Sequence, residues 1–222
     1  MTPPPVMLKI SRNDVPENGD EPVCRGGFYS MNESRKPHGA GRSTFDLIDT
    51  KRFFEMLNVH RSMVLLDLGA GSGDYTIPLA EAAGSEGRIY AVDAWAEGLT
   101  RVRQRASDRH LHNITTLVAD ANKRIPLDDG IIDICLMATV LHDLLRDGTG
   151  ETVLRETVRV LKPGGRLAVL EFKKIEGSPG PPLTIRLSEE DVENLLTPFD
   201  FRIDSVSDVG KYHYLLIASP SG

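Results

Sequence analysis

The length and composition of the chain are those of an ordinary globular protein. Its 222 residues are 40% hydrophobic and 26% charged, which excludes the disordered, collagen-like and disulfide-scaffold classes and, at about 150 residues per domain, predicts one domain with an appendage. The net charge of -6 gives no electrostatic reason to bind nucleic acid or anionic lipid. The two cysteines, Cys24 and Cys135, cannot form a disulfide framework or a cysteine metal site, and we expect no metal.

The N-terminal part of the chain shows neither a helical nor a strand period at first. Residues 1–30 are rich in proline, glycine and acidic residues, and we expect a flexible tail, with Met31 as an alternative start. Residues 31–60 carry apolar residues at helical spacing and predict a helical lid segment, which leaves 61–222 as the main folded domain. The sequence shows no signal-peptide pattern and no apolar run of about 20 residues. These features favour a cytoplasmic protein without a membrane span.

Short apolar runs alternate with helical patterns from residue 63 onwards. The predicted elements are a strand at 63–68, a helix at 75–83, a strand at 88–93, a helix at 96–108, strands at 114–118 and 131–137, a helix at 151–161, a strand at 166–172, a helix at 189–196 opened by a capping box, and strands at 201–206 and 212–218. Strands interleaved with helices predict a parallel, doubly wound α/β sheet. The final hairpin is expected to add an antiparallel strand at its edge.

A glycine-rich loop follows the first predicted strand. Residues 65–74 read Leu-Leu-Asp-Leu-Gly-Ala-Gly-Ser-Gly-Asp, and in an open α/β sheet such a turn lies at the edge where ligands bind. A dinucleotide fingerprint would have its last glycine where Asp74 stands, and a carboxylate at a helix start disfavours a pyrophosphate. The loop therefore favours a positively charged cofactor with few phosphates. The alternative is that the glycines only form a tight turn.

Two further carboxylates stand at predicted strand ends. Asp93 ends the second strand, where it could accept both hydrogen bonds of a ribose diol, and Asp120 follows the third strand at the same edge. Each acid alone is better explained as a strand-end or helix-capping group. Together with Asp67 they predict a carboxylate-lined crevice for a nucleoside with cationic groups.

Six motifs in order resemble those of class I S-adenosylmethionine-dependent methyltransferases. Across residues 45–218 they are Leu66–Gly73, Ala91–Asp93, Val118–Ala121, Ile125–Asp128, Leu141–Leu144 and Arg159–Gly165. The set is similar to the type 11 branch, which includes ubiquinone/menaquinone-type and other small-molecule methyltransferases. The resemblance implies a Rossmann-like methyltransferase fold, a mostly parallel seven-stranded sheet with an antiparallel edge strand, and 61–222 as the domain that binds S-adenosylmethionine (SAM).

The same resemblance implies a set of cofactor-binding residues. They are Asp67, Gly69, Ala70, Gly71, Gly73, Asp93, Ala94, Trp95, Asp120, Ala121 and Met137. Trp95 is expected against the adenine, Asp120 near its amino group, and Met137 or Ala138 behind the methionyl group.

Residues for the methyl acceptor are harder to assign. His142 follows the fourth strand, and it is predicted to be either a general base or substrate contact, or a packed histidine at a helix start. The other candidates are His38, Arg42, Lys173, Tyr212 and His213, each also compatible with a surface or core position. Residues 136–141 lack the Asn/Asp-Pro-Pro-Tyr/Phe signature, which disfavours nucleic-acid methylation, and the two cysteines disfavour arsenite methylation.

The predicted function is transfer of the SAM methyl group to a small-molecule acceptor by in-line displacement, with release of S-adenosylhomocysteine. The alternatives are a catalytically silent SAM-binding sensor or partner subunit and, less favoured, a nicotinamide oxidoreductase. A homo-oligomer is compatible with the sequence.

Overall fold

The structure, a computed structural model, describes residues 41–221 apart from 147, 149 and 178. The helices are α1 (Thr50–Leu57), α2 (Thr76–Ala83), α3 (Ala96–Asp108), α4 (Leu141–Arg146), α5 (Gly150–Val160) and α6 (Glu189–Leu196). The strands are β1 (Val64–Leu68), β2 (Arg88–Asp93), β3 (Ile114–Val118), β4 (Ile132–Ala138), β5 (Leu161–Phe172), β6 (Phe201–Asp208) and β7 (His213–Pro220). The predicted tail at 1–30, Met31 and His38 lie outside the described residues.

The seven strands form one mixed sheet in the order β3-β2-β1-β4-β5-β7-β6. Strands β1 to β5 pair in parallel, whereas β7 runs antiparallel to both β5 and β6. The predicted doubly wound sheet with an antiparallel addition at its edge is confirmed, with β6 as the outermost strand of the final hairpin. The chain winds outwards on both sides of β1 and β4, and the switch point where ligands bind in such sheets lies between them.

Local signals explain the helix ends. At α6, the Ser188 hydroxyl accepts the Asp191 N–H at 3.2 Å while the Asp191 carboxylate accepts the Ser188 N–H at 2.8 Å, which is the predicted capping box. At α1, the Asp49 carboxylate accepts the Arg52 N–H at 3.0 Å, and Asn58 ends the helix with a left-handed φ of 48°. These side chains satisfy backbone groups that a helix end leaves unpaired.

Strand β5 begins earlier than the sequence predicts. The predicted strand starts at Arg166, but Leu161 already pairs with Ile132 of β4, and the register then shifts before Arg166 pairs with Ile134. Residues 162–165 are therefore an outward bulge within the strand, with Gly164 at a φ of 77°. A glycine permits this backbone conformation at low cost.

Both faces of the sheet are covered by apolar side chains. Leu66 and Met137 belong to the cluster on one face, while Leu65 belongs to the cluster on the other. Helix α1 packs into the second cluster through Phe53 and Leu57, which are fully buried. Helix α1, which lies inside the predicted lid segment, is thus part of the core. In the described part of the chain, no helix is both long and apolar enough to cross a membrane.

Candidate active site

The glycine loop connects β1 to α2 at the switch point of the sheet. Gly69 has a φ of 82°, and its N–H donates to the carbonyl of Val92 at 2.8 Å. A Cβ atom placed on Gly69 would lie 2.8 Å from Cγ2 of Val140, so any side chain would collide with the segment that leaves β4. The glycine therefore allows the ends of β1 and β4 to approach each other closely.

The Asp93 carboxylate ties this loop to β2. Oδ2 accepts the N–H of Gly71 and Oδ1 accepts the N–H of Trp95, each at 2.7 Å. Burial raises the pKa of Asp93, although these backbone hydrogen bonds oppose the shift. Because a carboxylate has about four lone-pair sites, Asp93 can still accept hydroxyl donors from a ligand.

A cavity of about 190 Å³, here called the cofactor cleft, opens beside the loop. Asp120 lies on its wall, where its carboxylate accepts the Asn122 N–H at 3.1 Å and pairs with Lys123 at 3.4 Å. The predicted cofactor residues that line the cleft are Gly69, Gly71, Asp93, Ala94, Asp120 and Ala121. Ala70 lines a small adjoining recess together with Ala138.

Asp67 lies beneath the loop and Gly73 is part of it, but neither residue is on the cleft wall. The Asp67 carboxylate is 1% exposed and accepts the Thr76 hydroxyl at 2.6 Å. Burial raises its pKa to about 7, with the hydrogen bond from Thr76 acting in the opposite direction. A Cβ on Gly73 would lie 2.8 Å from Cγ2 of Val102, so this glycine allows α3 to pack against the loop. Both residues shape the loop without lining the cleft.

Trp95 and Met137 also lie away from the cleft. Trp95 is buried, its ring packs over Gly98, and the guanidinium of Arg101 stands 5.1 Å from the ring centre. Met137 is buried in the core cluster on the opposite face of the sheet from Ala138. Of the two residues expected behind a methionyl group, Ala138 is the one that borders the recess.

Asp74 forms an ion pair that the sequence argument did not include. Its carboxylate contacts Arg105 of α3 at 2.6 Å, and the same guanidinium donates to the carbonyl of Ser72 at 2.7 Å. The ion pair partly neutralises the Asp74 carboxylate. The negative charge at the helix start, which disfavours a pyrophosphate, is therefore smaller than the sequence alone indicates. The ion pair also fastens the second half of the glycine loop to α3.

A second cavity of about 450 Å³, here called the acceptor cavity, adjoins the cofactor cleft. Arg42 and Asp143 line both spaces. The other walls are mainly apolar, and they include Leu47, Phe172, Pro179, Pro181, Pro182 and Ile185. Polar groups come from Thr139 and His142 on the side of β4. An apolar cavity with a few converging polar groups is typical of a small-molecule site.

Thr139 holds an unusual backbone conformation where β4 ends. It is β-branched, yet its φ is 52°, a left-handed conformation that costs about 1–3 kcal/mol for such a residue. Thr139 lines both the acceptor cavity and the recess beside the glycine loop. Backbone strain therefore coincides with the junction of the two ligand spaces.

His142 opens α4 and is held by a buried carboxylate. Its Nδ1 lies 2.8 Å from Oε2 and 3.0 Å from Oε1 of Glu171, and its backbone N–H donates to Oε1 at 3.2 Å. Glu171 is fully buried in β5, and His142 is 7% exposed on the cavity wall. The sequence alone predicts no role for Glu171. A carboxylate inside the apolar run of β5 is the signal that could have identified it.

The remaining predicted acceptor residues are placed differently. Arg42 lines the acceptor cavity, whereas Lys173 pairs with Asp208 at 2.7 Å and does not reach the cavity wall. Tyr212 stacks under the ammonium of Lys211. His213 is buried against the ring of Phe172. Neither Tyr212 nor His213 lines the cavity.

His213 is an uncharged core residue. Burial lowers its pKa to about 4, and the charges of Arg186 and Lys173 act in the same direction. Its ring nitrogens have no hydrogen-bond partner within the described ranges.

The far wall of the acceptor cavity is a loop wrapped around one buried guanidinium, a feature that no local sequence pattern indicated. Arg186 is 4% exposed, and its guanidinium carbon lies 5.6 Å from the ring centre of Phe172. At distances of 2.8–3.1 Å it donates to the carbonyls of Lys173, Ile175, Gly177, Pro179 and Pro181. Arg186 therefore fixes the course of residues 173–177 and 179–181.

The sheet order, the glycine loop at its switch point and the carboxylates beside that loop define a class I SAM-dependent methyltransferase. Within this class, the chain belongs to the ubiE/COQ5 methyltransferase family, whose sequence profile matches residues 46–180. The match includes the loop, His142 and Glu171 but ends before Arg186.

Similar proteins support this assignment. The ubiquinone/menaquinone biosynthesis C-methyltransferase UbiE of Azotobacter vinelandii is 38% identical over 172 residues, which cover 69% of this chain and 66% of that protein. The protein of the same name from Ectopseudomonas mendocina is 32% identical, over 75% of this chain and 69% of its own length. The chain thus spans about two thirds of these relatives. The crystal structure of a SAM-dependent methyltransferase from Aquifex aeolicus superposes with a TM-score of 0.73 at 32% identity, and covers 79% of this chain and 92% of that one.

Proposed function

We propose that the protein transfers the methyl group of SAM to a small-molecule acceptor held in the acceptor cavity. The observation that carries this proposal is that the cofactor cleft and the acceptor cavity share Arg42 and Asp143, so that ligands in the two spaces would meet at one point. When bound, SAM supplies a methyl group already activated by its sulfonium centre. The chain's own task is then to align the reactants and exclude water.

The residues of the cofactor cleft suit a nucleoside with cationic groups. Asp93, Asp120 and Asp143 place three carboxylates on its wall, opposed by Arg42 and Arg146. We assign Asp93 to the ribose hydroxyls and Asp120 to the adenine amino group. The loop glycines Gly69 and Gly71, with Ala70, Ala94 and Ala121, would provide close contacts along the ligand.

The acceptor cavity suits an apolar, ring-shaped acceptor with an acidic hydroxyl. Its walls carry aliphatic, proline and phenylalanine side chains, and His142 and Asp143 at the start of α4 are titratable groups on its wall. The relatives from Azotobacter and Ectopseudomonas are named as C-methyltransferases of ubiquinone/menaquinone biosynthesis. A quinol-type ring is therefore the first acceptor class to test on this chain.

Isothermal titration with SAM, S-adenosylhomocysteine and NADH in parallel tests the cofactor assignment. We expect binding of the two sulfur nucleosides and no binding of NADH. Transfer of labelled methyl to 1,4-dihydroxynaphthalene then tests the acceptor class. Binding of NADH alone, or of none of the three, would contradict the proposal, and binding without transfer to any ring hydroxyl compound would favour the sensor alternative.

A further inference from the structure

We propose that Glu171 is a positioning residue that fixes His142 as the proton acceptor of the acceptor cavity. The inference rests on the proposed function, because it gives His142 a role towards the molecule that receives the methyl group. It also narrows the acceptor to compounds that must lose a proton to react, such as a phenol, an enol or an acidic carbon compound.

The surroundings of Glu171 show that it serves His142. Glu171 is the second-last residue of β5, paired with Tyr214 of β7, and is fully buried. Within the described residues, its ion-pair partner is His142, and the N–H of Phe172 adds a long contact at 3.4 Å. A carboxylate taken fully out of water destabilises a fold unless it is paired. An apolar side chain would serve packing better at this position, so the carboxylate points to a role in the site.

The hydrogen-bond chemistry of the pair determines which ring nitrogen is free. An ionised carboxylate only accepts hydrogen bonds, so Nδ1 of His142 must carry a proton. In the neutral ring, the lone pair is then on Nε2. This nitrogen stands 3.8 Å from Oδ2 of Asp143, a residue that lines both the cofactor cleft and the acceptor cavity. The free lone pair is thus held at the junction where the acceptor would react.

The proton transfer balances on groups that are present. The proton leaves the acceptor hydroxyl, its electron pair stays on the acceptor oxygen, and the Nε2 lone pair of His142 takes the proton. The resulting imidazolium is stabilised by the carboxylates of Glu171 and Asp143 before it releases the proton to water. A histidine held in this way combines a fixed tautomer with a stabilised charged form.

The charges around His142 determine the pH range of this step. Burial lowers its pKa, but the hydrogen bond and charge of Glu171 from β5 and the charge of Asp143 from α4 raise it, with Arg146 opposing them. Arg42 also lines the cavity. The net result is a pKa above the ordinary value for histidine. The neutral, proton-accepting ring therefore becomes populated as the pH rises through that raised pKa.

Histidine ¹⁵N NMR of the full chain tests the positioning role without any acceptor. Above its pKa, His142 of the wild type should show a protonated Nδ1 and a bare Nε2. In Glu171→Leu, the side chain offers no acceptor for the Nδ1 proton, so nothing at this position holds the ring in the Nδ1-protonated form. We expect this variant to show the other tautomer and a His142 pKa lower by about one unit or more. Asp143→Asn is the matched control, because it should lower the pKa while keeping Nδ1 protonated.

Methyl transfer to 1,4-dihydroxynaphthalene tests the proton-acceptor role. Glu171→Gln should reduce kcat by about 10- to 100-fold, move the acid limb of the pH profile to lower pH, and leave the affinity for S-adenosylhomocysteine unchanged. A loss of packing alone would lower the rate without moving that limb.

Several outcomes would overturn the inference. A bare Nδ1 in the wild type contradicts it even if Glu171→Gln does not fold. An unchanged tautomer in a folded Glu171→Leu variant, or an acid limb that Glu171→Gln does not move, also contradicts it. If the wild type transfers no methyl group at all, the proposed function fails, while the tautomer still decides whether Glu171 positions His142.

Discussion

Asp67 is a buried carboxylate whose ionisation opposes folding. Its pKa is raised from 3.8 to about 7 in the folded protein, so the folded state binds the proton more tightly than the unfolded state. The stability that this provides is fully present below pH about 4 and is lost as the pH rises through about 7.

Replacing Asp67 with asparagine should remove this pH dependence. The amide oxygen can still accept the Thr76 hydroxyl, so we expect Asp67→Asn to raise the free energy of unfolding at pH 8 by on the order of 2–4 kcal/mol. Urea unfolding of wild type and variant at pH 5 and pH 8 measures the difference. Asp46→Asn, at an exposed position, is the control, and equal pH dependence in Asp67→Asn and wild type would argue against a destabilising carboxylate.

Gly69 is constrained by both its backbone and its neighbour. Alanine at this position must adopt a φ of 82° and meet Val140 at 2.8 Å, so Gly69→Ala should lose about 2–4 kcal/mol of stability and weaken S-adenosylhomocysteine binding. Gly164→Ala separates the two causes, because Gly164 has a φ of 77° but open space around its Cβ position. If the two variants are equally stable, the contact with Val140 is not a constraint.

Replacing Asp93 should affect both the binding of the cofactor and the conformation of the glycine loop. Asp93→Ala removes the acceptor for the N–H groups of Gly71 and Trp95 as well as the proposed contact with the ribose. We expect it to weaken SAM binding by on the order of 1–3 kcal/mol, as measured by titration calorimetry. Asp93→Asn is the informative companion, since its amide can keep one of the two backbone bonds, and full affinity in both variants would exclude the ribose role.

The roles of some single residues could not be predicted from the sequence, for a physical reason. Met137 and Ala138 point to opposite faces of β4, but both faces of a buried parallel strand are apolar, so the sequence does not reveal which face borders the recess. Asp67 and Asp93 look alike in sequence, and only the fold shows that Asp93 lines the cleft while Asp67 lies under the loop. Glu171 needs the pairing of β5 with its neighbours to meet His142.

At the scale of helices and strands, local signals were sufficient for most of the fold. The predicted ranges for β2, α3 and β3 coincide with the observed ones, because apolar periods and turn residues bound each element. For α4 the sequence predicts a helix start at His142 as one of two interpretations but gives no bounds, since its six residues are too few for a helical period. The loop around Arg186 was not predicted, because its shape depends on main-chain carbonyls that carry no sequence pattern.

The loop around Arg186 should become less stable when Arg186 is replaced. Arg186→Ala removes five hydrogen bonds to carbonyls from a buried guanidinium, so we expect a loss of about 2–4 kcal/mol and faster trypsin cleavage after Lys173 and Lys174. Binding of S-adenosylhomocysteine should stay close to that of the wild type. Arg155→Ala, at an exposed ion pair, should cost less than about 1 kcal/mol. Unchanged cleavage in Arg186→Ala would mean that other contacts hold the loop.

At the scale of the whole molecule, α1 joins the N-terminal described segment to the core. Phe53 is fully buried whereas Glu55 on the same helix is exposed. We therefore expect Phe53→Ala to lower the free energy of unfolding by about 3–5 kcal/mol and Glu55→Ala to change it little, as measured by thermal and urea unfolding. A chain that begins at residue 61 should be destabilised at least as much. Equal stability of that shortened chain would show that the segment is a separate unit.

The way in which Arg186 holds its loop has a consequence for how new substrate preferences could arise. The guanidinium of Arg186 donates hydrogen bonds to main-chain carbonyl oxygens, which every amino acid has. The course of the loop therefore does not depend on which side chains the loop carries. Directed evolution could therefore randomise wall positions such as Pro182 and Ile185 while the frame remains in place. The cofactor cleft, which neither Pro182 nor Ile185 lines, would be left intact in such a library.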